Sequence, residues 1–169
     1  MGLVQVATNT VTSAVASVTL TGIDSSDVYM LAYSNIAPST DTADLRIRVI
    51  KADGNEDSSA NNFAYAWKRL RTGNTFANVS GQTSGLTIDD ALGTNTGEVG
   101  NAILYIYNAN NSSEYTFFTN ETVRITYVPE LYGNEGGFVN QVAQQVTGVK
   151  FYTGSGNIAS GTFTLYKVV

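Results

Sequence analysis

The sequence predicts an all-β fold, a single-domain antiparallel β-sandwich of jelly-roll-like kind, and three observations predict it. Short segments rich in β-branched and aromatic residues recur along the chain, separated by Gly, Asn, Ser and Asp clusters that supply turn chemistry. Two stretches alternate side chains with the period of a strand, at 45–49 and at 162–166. No segment demands a long helix.

Taken in order, residues 1–12 read as an N-terminal strand or docking arm, carried by the strand-like run Leu3 to Ala7, and residues 13–169 as the single β-sandwich domain. Val28 to Tyr33 and Ala102 to Tyr107 are apolar almost without interruption, as expected of central strands covered on both faces or by a neighbouring subunit. Leu45, Ile47 and Val49 alternate with Arg46 and Arg48, the clearest half-buried strand. Phe63, Tyr65 and Trp67 also alternate. Phe63, Trp67 and Leu70 fit a helical spacing as well, and the strand is the preferred reading.

The polar stretches Asp53 to Asn62 and Asn78 to Asn101 read as long surface loops or edges. Asn108 to Ser113 is a turn, after which Tyr115 to Thr119 and Val123 to Val128 resume the β pattern and make a meander. Phe138, Val142 and Val146 fit one helix face, but Gly136-Gly137 and the β-branched content favour an extended segment. Val149 to Tyr152 and the alternating Thr162 to Tyr166 are expected to pair with each other through the glycine-bearing loop 153–160. No repeat, proline-rich linker or break in composition marks a second domain.

Composition removes whole classes of chemistry. The 169 residues include no cysteine and no histidine, which excludes disulfides, thiolate metal sites, HExxH zinc sites and every Ser-His or Cys-His arrangement. Charged residues are only 14% of the chain, against the usual quarter, so its surfaces are polar rather than ionic. A formal charge of -5 argues against a phosphate-binding surface and hence against a nucleic-acid partner. No apolar run approaches a membrane span, and no basic segment followed by an apolar one suggests a secretion signal.

Several residues invite a functional reading and each has a plainer one. Asp53-Gly54-Asn55-Glu56-Asp57 offers oxygen ligands around a glycine but lacks EF-hand spacing, so a solvated turn is preferred over an ion site at Asp53 and Asp57. Asp89 and Asp90 are a weaker version of the same idea. Paired carboxylates could serve a glycosidase, but 14 acids generate many chance pairs. Ser84, Ser155 and Ser160 lie near glycines without any base, as turn residues do. Lys68, Arg69 and Arg71 are expected at a solvated strand end. Phe63 and Trp67 are assigned to the core, leaving exposed members of the ten tyrosines as contact residues. Asn78-Val-Ser80 and Asn120-Glu-Thr122 match a glycosylation pattern that carries no weight without secretion. No catalytic, cofactor or metal site is therefore expected, and the chain is not expected to be an enzyme.

Four blocks resemble virion structural proteins of marine bacteriophages, cyanophages among them: Val11 to Ile23 followed by Asp27-Val-Tyr29, Ser34 to Asp41 leading into Leu45-Arg-Ile-Arg48, Ser112 to Phe117, and the ending Ser155 to Tyr166. The final Lys167-Val-Val169 replaces the glycine-containing ending of that pattern. The resemblance implies a noncatalytic β-sandwich or jelly-roll module deployed in many copies, with the capsid decoration or cement protein on the head exterior as the first expectation and a glycan-recognising tail-fibre or receptor-binding module as the alternative. It further implies partners among the major capsid protein and other virion proteins, a homo-oligomer with a trimer among the options, and a location in the virion, assembled in the bacterial host cytoplasm.

Overall fold

In a computed structural model, which describes residues 2–73 and 75–169, the described residues form twelve strands and no helix. Met1, the first residue of the proposed arm, lies outside the described residues. The strands are β1 (Leu3–Val11), β2 (Ser17–Thr21), β3 (Tyr29–Pro38), β4 (Ala43–Lys51), β5 (Phe63–Arg71), β6 (Ala77–Thr83), β7 (Leu86–Leu92), β8 (Gly100–Tyr107), β9 (Thr116–Ile125), β10 (Leu131–Asn140), β11 (Val146–Thr153) and β12 (Ile158–Val168). They make two antiparallel sheets, a large one in the order β1-β12-β3-β8-β9-β10-β5-β6 and a small one in the order β2-β11-β4-β7. The protein is a single-domain β-sandwich whose chain repeatedly crosses from one layer to the other.

The core is where the alternation of each strand points inward. Leu45, Ile47 and Val49 of β4 and Val149 and Phe151 of β11 meet Tyr29, Leu31 and Tyr33 of β3 and Phe163 and Leu165 of β12, all buried. Phe151 and Phe163 pack across the layers with ring centroids 4.6 Å apart. Each such side chain contributes about 1.5–3 kcal/mol by leaving water. The strand readings at 45–49 and at 63–67 match, and Phe63 and Trp67 lie in the core. Tyr115 to Thr119 and Val123 to Val128, read as two strands of a meander, belong instead to the single strand β9, which ends at Ile125, and the extended reading around Phe138 holds as far as Asn140 and resumes at Val146.

Two further expectations are corrected and one is resolved. β11 and β12 do not pair with each other: β11 lies between β2 and β4 in the small sheet, and β12 between β1 and β3 in the large one. Their glycine-bearing connection is an arch across the sandwich, because Phe151 and Phe163 gain more by facing each other from opposite layers than by lying in one. Of the two readings of 78–101, loops or edges, the edge is the one found, since the stretch holds the edge strands β6 and β7; β6 is polar because it is exposed, and β7 is polar because its two aspartates meet the buried Arg124 and the half-buried Arg69. β8 is central, yet it is not covered on both faces, since Ile103 stands out into solvent.

Residues Leu3–Val11 are the edge strand of the large sheet, joined to β12 along their whole length. Gly2 and Val169 extend that pairing by exchanging backbone bonds of 2.7 and 2.9 Å. Opposite Leu165 the register shifts between Gln5 and Ala7, a β-bulge at Val6-Ala7 whose two side chains both lean on the core.

Candidate functional site

The two outer faces of the sandwich differ in kind. On the small sheet, Arg46 and Arg48 of β4 and Lys150 and Tyr152 of β11 project outward and are tied together. Arg48 bonds the Ser84 carbonyl at 2.8 Å and Glu56 at 3.2 Å and lies 4.6 Å from the Tyr152 ring centroid, while Lys150 reaches Glu56 at 3.0 Å. This face is charged, and its cations are tied to acids beside them. The outer face of the large sheet carries exposed apolar side chains around a polar row.

On that second face the registers bring together Ile103 and Tyr105 of β8, Phe117 and Val123 of β9, Leu131 and Val139 of β10 and Leu70 of β5. Ile103, Phe117, Val123 and Leu131 are 45%, 44%, 47% and 45% exposed, values at odds with their chemistry unless something covers them. Four strands about 4.8 Å apart and seven residues of about 3.3 Å rise outline a patch on the order of 400 Å². That is half of the roughly 800 Å² that each partner gives to a standard interface, and its apolar residues lie on either side of the row that holds Glu121, Glu135 and Lys68.

Glycines shape the patch. Gly133 lies between Val123 and Leu70 in the register, and the missing side chain leaves a hollow of about 390 Å³ lined by Leu70, Phe76, Val123, Leu131 and Tyr132. Gly137, between Thr119 and Ala66, leaves another of about 460 Å³ walled by Ala64, Phe117 and Val139. A third, of about 350 Å³, is the polar centre of the face, where Glu121 and Glu135 oppose each other across β9 and β10 beside Tyr105 and Thr119. Lys68 stands next in that row, opposite Glu135, with its ammonium 5.4 Å from the Phe76 ring. A glycan-cleaving pair needs unequal surroundings for its two carboxyls. Glu121 and Glu135 share one open surface.

The aspartates singled out in the sequence have structural partners. Asp89 is fully buried between the sheets, accepting from Arg124 Nη1 at 2.9 Å and from the Tyr33 hydroxyl at 2.6 Å. Burial pushes its carboxyl up to about 6, against the pull of Arg124, Tyr33 and Thr122. Burial first, and then the Asp89 charge, raises the Tyr33 phenol well above its ordinary range. Asp90 accepts from both Arg124 and Arg69, and the Arg124 guanidinium lies 5.2 Å from the Tyr132 ring centroid. Two cations and two anions thus cancel inside the sandwich and bolt β7 to β9 and β5. Sequence reasoning missed this network, because nothing local tells that Arg124, amid Thr122 and Thr126, points inward.

The acidic turn divides among different partners. Asp53 accepts from the Asn55 amide and from Lys51 at 3.1 Å, and those contacts lower its carboxyl. Glu56 serves Arg48 and Lys150. Asp57 is buried among the amides of Asn62, Asn140 and Gln144 at 2.9–3.0 Å and the Ser59 amide at 3.1 Å. Burial raises its carboxyl, but those four hydrogen-bonding groups together hold it below the usual range. Among the described residues no group of three or more acids is placed to hold a metal ion.

The remaining residues separate. Lys68, Arg69 and Arg71 make no patch: Lys68 is on the outer face, Arg69 reaches inward to Asp90, and Arg71 bonds the Thr75 carbonyl at 3.0 Å and the Tyr132 hydroxyl at 3.2 Å. Ser84 and Ser155 lie in connections and Ser160 lies in β12. Asn78 is exposed on the β6 edge strand, whereas Asn120 is buried and faces the interior. Of the tyrosines, Tyr115 and Tyr127 are exposed, and Tyr29, Tyr33 and Tyr132 are buried. No protein-family model matches the chain, and no curated protein matches it.

Proposed function

We propose that this chain is a noncatalytic structural protein of a bacteriophage virion, a decoration or cement protein that seats on the head exterior. The observation that supports this is the asymmetry of the sandwich. A corrugated outer face on the large sheet, with exposed Phe117, Val123, Leu131 and Ile103, is suited to lie against the major capsid protein or another virion component, and the ion-paired face of the small sheet is suited to solvent. The resemblance at Val11 to Ile23 and Ser155 to Tyr166 supplies the virion as the setting. Copy number in the purified particle, measured by quantitative mass spectrometry, tests it. Hundreds of copies per virion are expected, and a few to a few dozen would reassign the protein to the neck, portal or tail.

A second reading follows from the polar centre of the same face. Tyr105 beside Thr119, Glu121 and Glu135 joins an aromatic surface to hydrogen-bond acceptors, the pairing with which proteins hold sugars. On this reading the chain is a tail-fibre or receptor-binding module for host glycans. Binding of the isolated protein on a glycan array, lost in Tyr105→Ala, would favour it over decoration; an empty array removes it.

A further inference from the structure

We propose that the free edge of β1 pairs with the β1 edge of a second copy of this chain, antiparallel, about a two-fold axis passing between Val6 and Ala7. The argument starts from which backbone groups are free. Gly2 and Val169 exchange both backbone bonds, and the amide of Val168 bonds the Val28 carbonyl on the far side of β12. Alternation along an antiparallel ladder then turns the N–H and C=O groups of Leu3 and Gln5 away from β12. Beyond the bulge, the register with Thr164 and Thr162 does the same for Thr8 and Thr10.

The outward residues are therefore Leu3, Gln5, Thr8 and Thr10, and the bulge sets their spacing: two, then three, then two. A regular strand, spaced by twos throughout, can match only half of that edge. The other free edge of the large sheet, β6, shows no register shift against β5 and is such a strand. A second β1 running the opposite way matches completely. Leu3 meets Thr10, Gln5 meets Thr8, the symmetry equivalents follow, and the two bulges face each other at the axis. No other register aligns all of the outward residues.

Charge and burial agree. The sequence Leu-Val-Gln-Val-Ala-Thr-Asn-Thr-Val of β1 contains no charge and no proline, the usual devices that keep a long edge unpaired. Leu3 and Val4 are 50% and 52% exposed, and the pairing would cover both. The contact is isologous and closes on itself, so it yields a dimer rather than a fibre, and the bulge disfavours the β1-to-β6 contact that would propagate. This inference does not depend on the virion reading, because it concerns the isolated protein in solution.

The test uses the full chain, which has no cysteine of its own. Val4 and Asn9 would lie opposite each other across the axis as a non-hydrogen-bonded pair with Cα atoms about 4.5 Å apart, within disulfide reach. Val4→Cys and Asn9→Cys variants, mixed and oxidised, should give a cross-linked dimer in large excess over either variant alone. Sedimentation of the unmodified protein should show a reversible monomer–dimer equilibrium with a Kd of roughly 10–100 μM, in keeping with a small contact. Gln5→Pro, which removes an outward N–H and no bond to β12, should weaken association at least tenfold with the thermal midpoint nearly unchanged. A monomer persisting at about 1 mM, roughly ten to a hundred times that Kd, overturns the proposal. Equal cross-linking in mixed and unmixed samples does so too.

Discussion

Replacing Arg124 by Met tests how the two sheets are held together. The guanidinium serves Asp89 and Asp90 at once and is fully buried, so its removal leaves Asp89 with the neutral hydroxyls of Tyr33 and Thr122 and Asp90 with Arg69 as its one cation. Breaking one side of a buried pair in this way costs about 3–5 kcal/mol, far more than a surface ion pair is worth. For a domain of this size that lowers the thermal midpoint by about 10 °C. The loss should also depend on pH, and the sign follows from Asp89. Its folded carboxyl sits at about 6, above the unfolded value of 3.8, so the native state binds the proton more tightly. In the wild type this group therefore favours folding below pH 4, and that contribution disappears as pH rises from about 4 to 6, by about 3 kcal/mol. Without Arg124 the carboxyl rises further, so the deficit of the variant should be largest at pH 7 and shrink towards pH 4, where Asp89 is neutral in both proteins. Urea denaturation of both at pH 4.5, 6 and 7.5 measures this. A deficit under about 1 kcal/mol at pH 7.5, or one independent of pH, would refute the account of the network as a charge-compensated bolt.

Three further outcomes are expected. Gly136→Ala would set a methyl group on the backbone of Ala66 and Trp67, so the midpoint in urea should drop by the equivalent of about 2 kcal/mol or more, with Trp67 fluorescence altered in the folded state. Asp57→Asn turns an amide toward the donors of Asn62, Asn140 and Gln144 and should cost about 1–3 kcal/mol at neutral pH. Because the Asp57 carboxyl is lowered in the fold, its contribution is present above about pH 4 and lost below, so urea curves of the two proteins should converge in acid. Val123→Glu on the apolar face should change stability by no more than about 0.5 kcal/mol, as exposed substitutions do, while reducing incorporation into particles severalfold in a virion assembly assay.

What the sequence disclosed and what it withheld divide along a physical line. A strand is announced by its own residues, so Leu45 to Val49 and the β character of 116–119 and 123–125 were legible from alternation and turn chemistry alone. Which sheet a strand joins is decided by partners far away. Val149 to Tyr152 and Thr162 to Tyr166 carry the same local signals whether their connection is a hairpin or an arch, and only the meeting of Phe151 with Phe163 chooses. β7 was hidden because Asp89-Asp90 is poor strand chemistry until Arg124 and Arg69 come within reach. The apolar face was half visible. Phe117 and Val123 read as strand residues, but that they point away from the core follows from the inward Phe118, Asn120, Thr122 and Arg124, a set too polar to be recognised as interior. Gly133 and Gly137 hollow that face, which no local signal in the sequence announces.

The pairing of β1 with β12 carries a consequence for the order in which the molecule can assemble. Thr8 reaches across 155 and 156 residues of chain to its hydrogen-bond partners at Phe163 and Thr164. A contact so distant is entropically expensive to close and arrives late, in a class of topologies that fold in milliseconds to seconds rather than microseconds. During synthesis β1 leaves the ribosome well before β12 exists, and its charge-free backbone must wait unpaired while the rest of the sandwich condenses. The bulge at Val6 then acts on a chain that is not yet native, as a kink that makes β1 a poor template for any regular strand it meets before its own arrives.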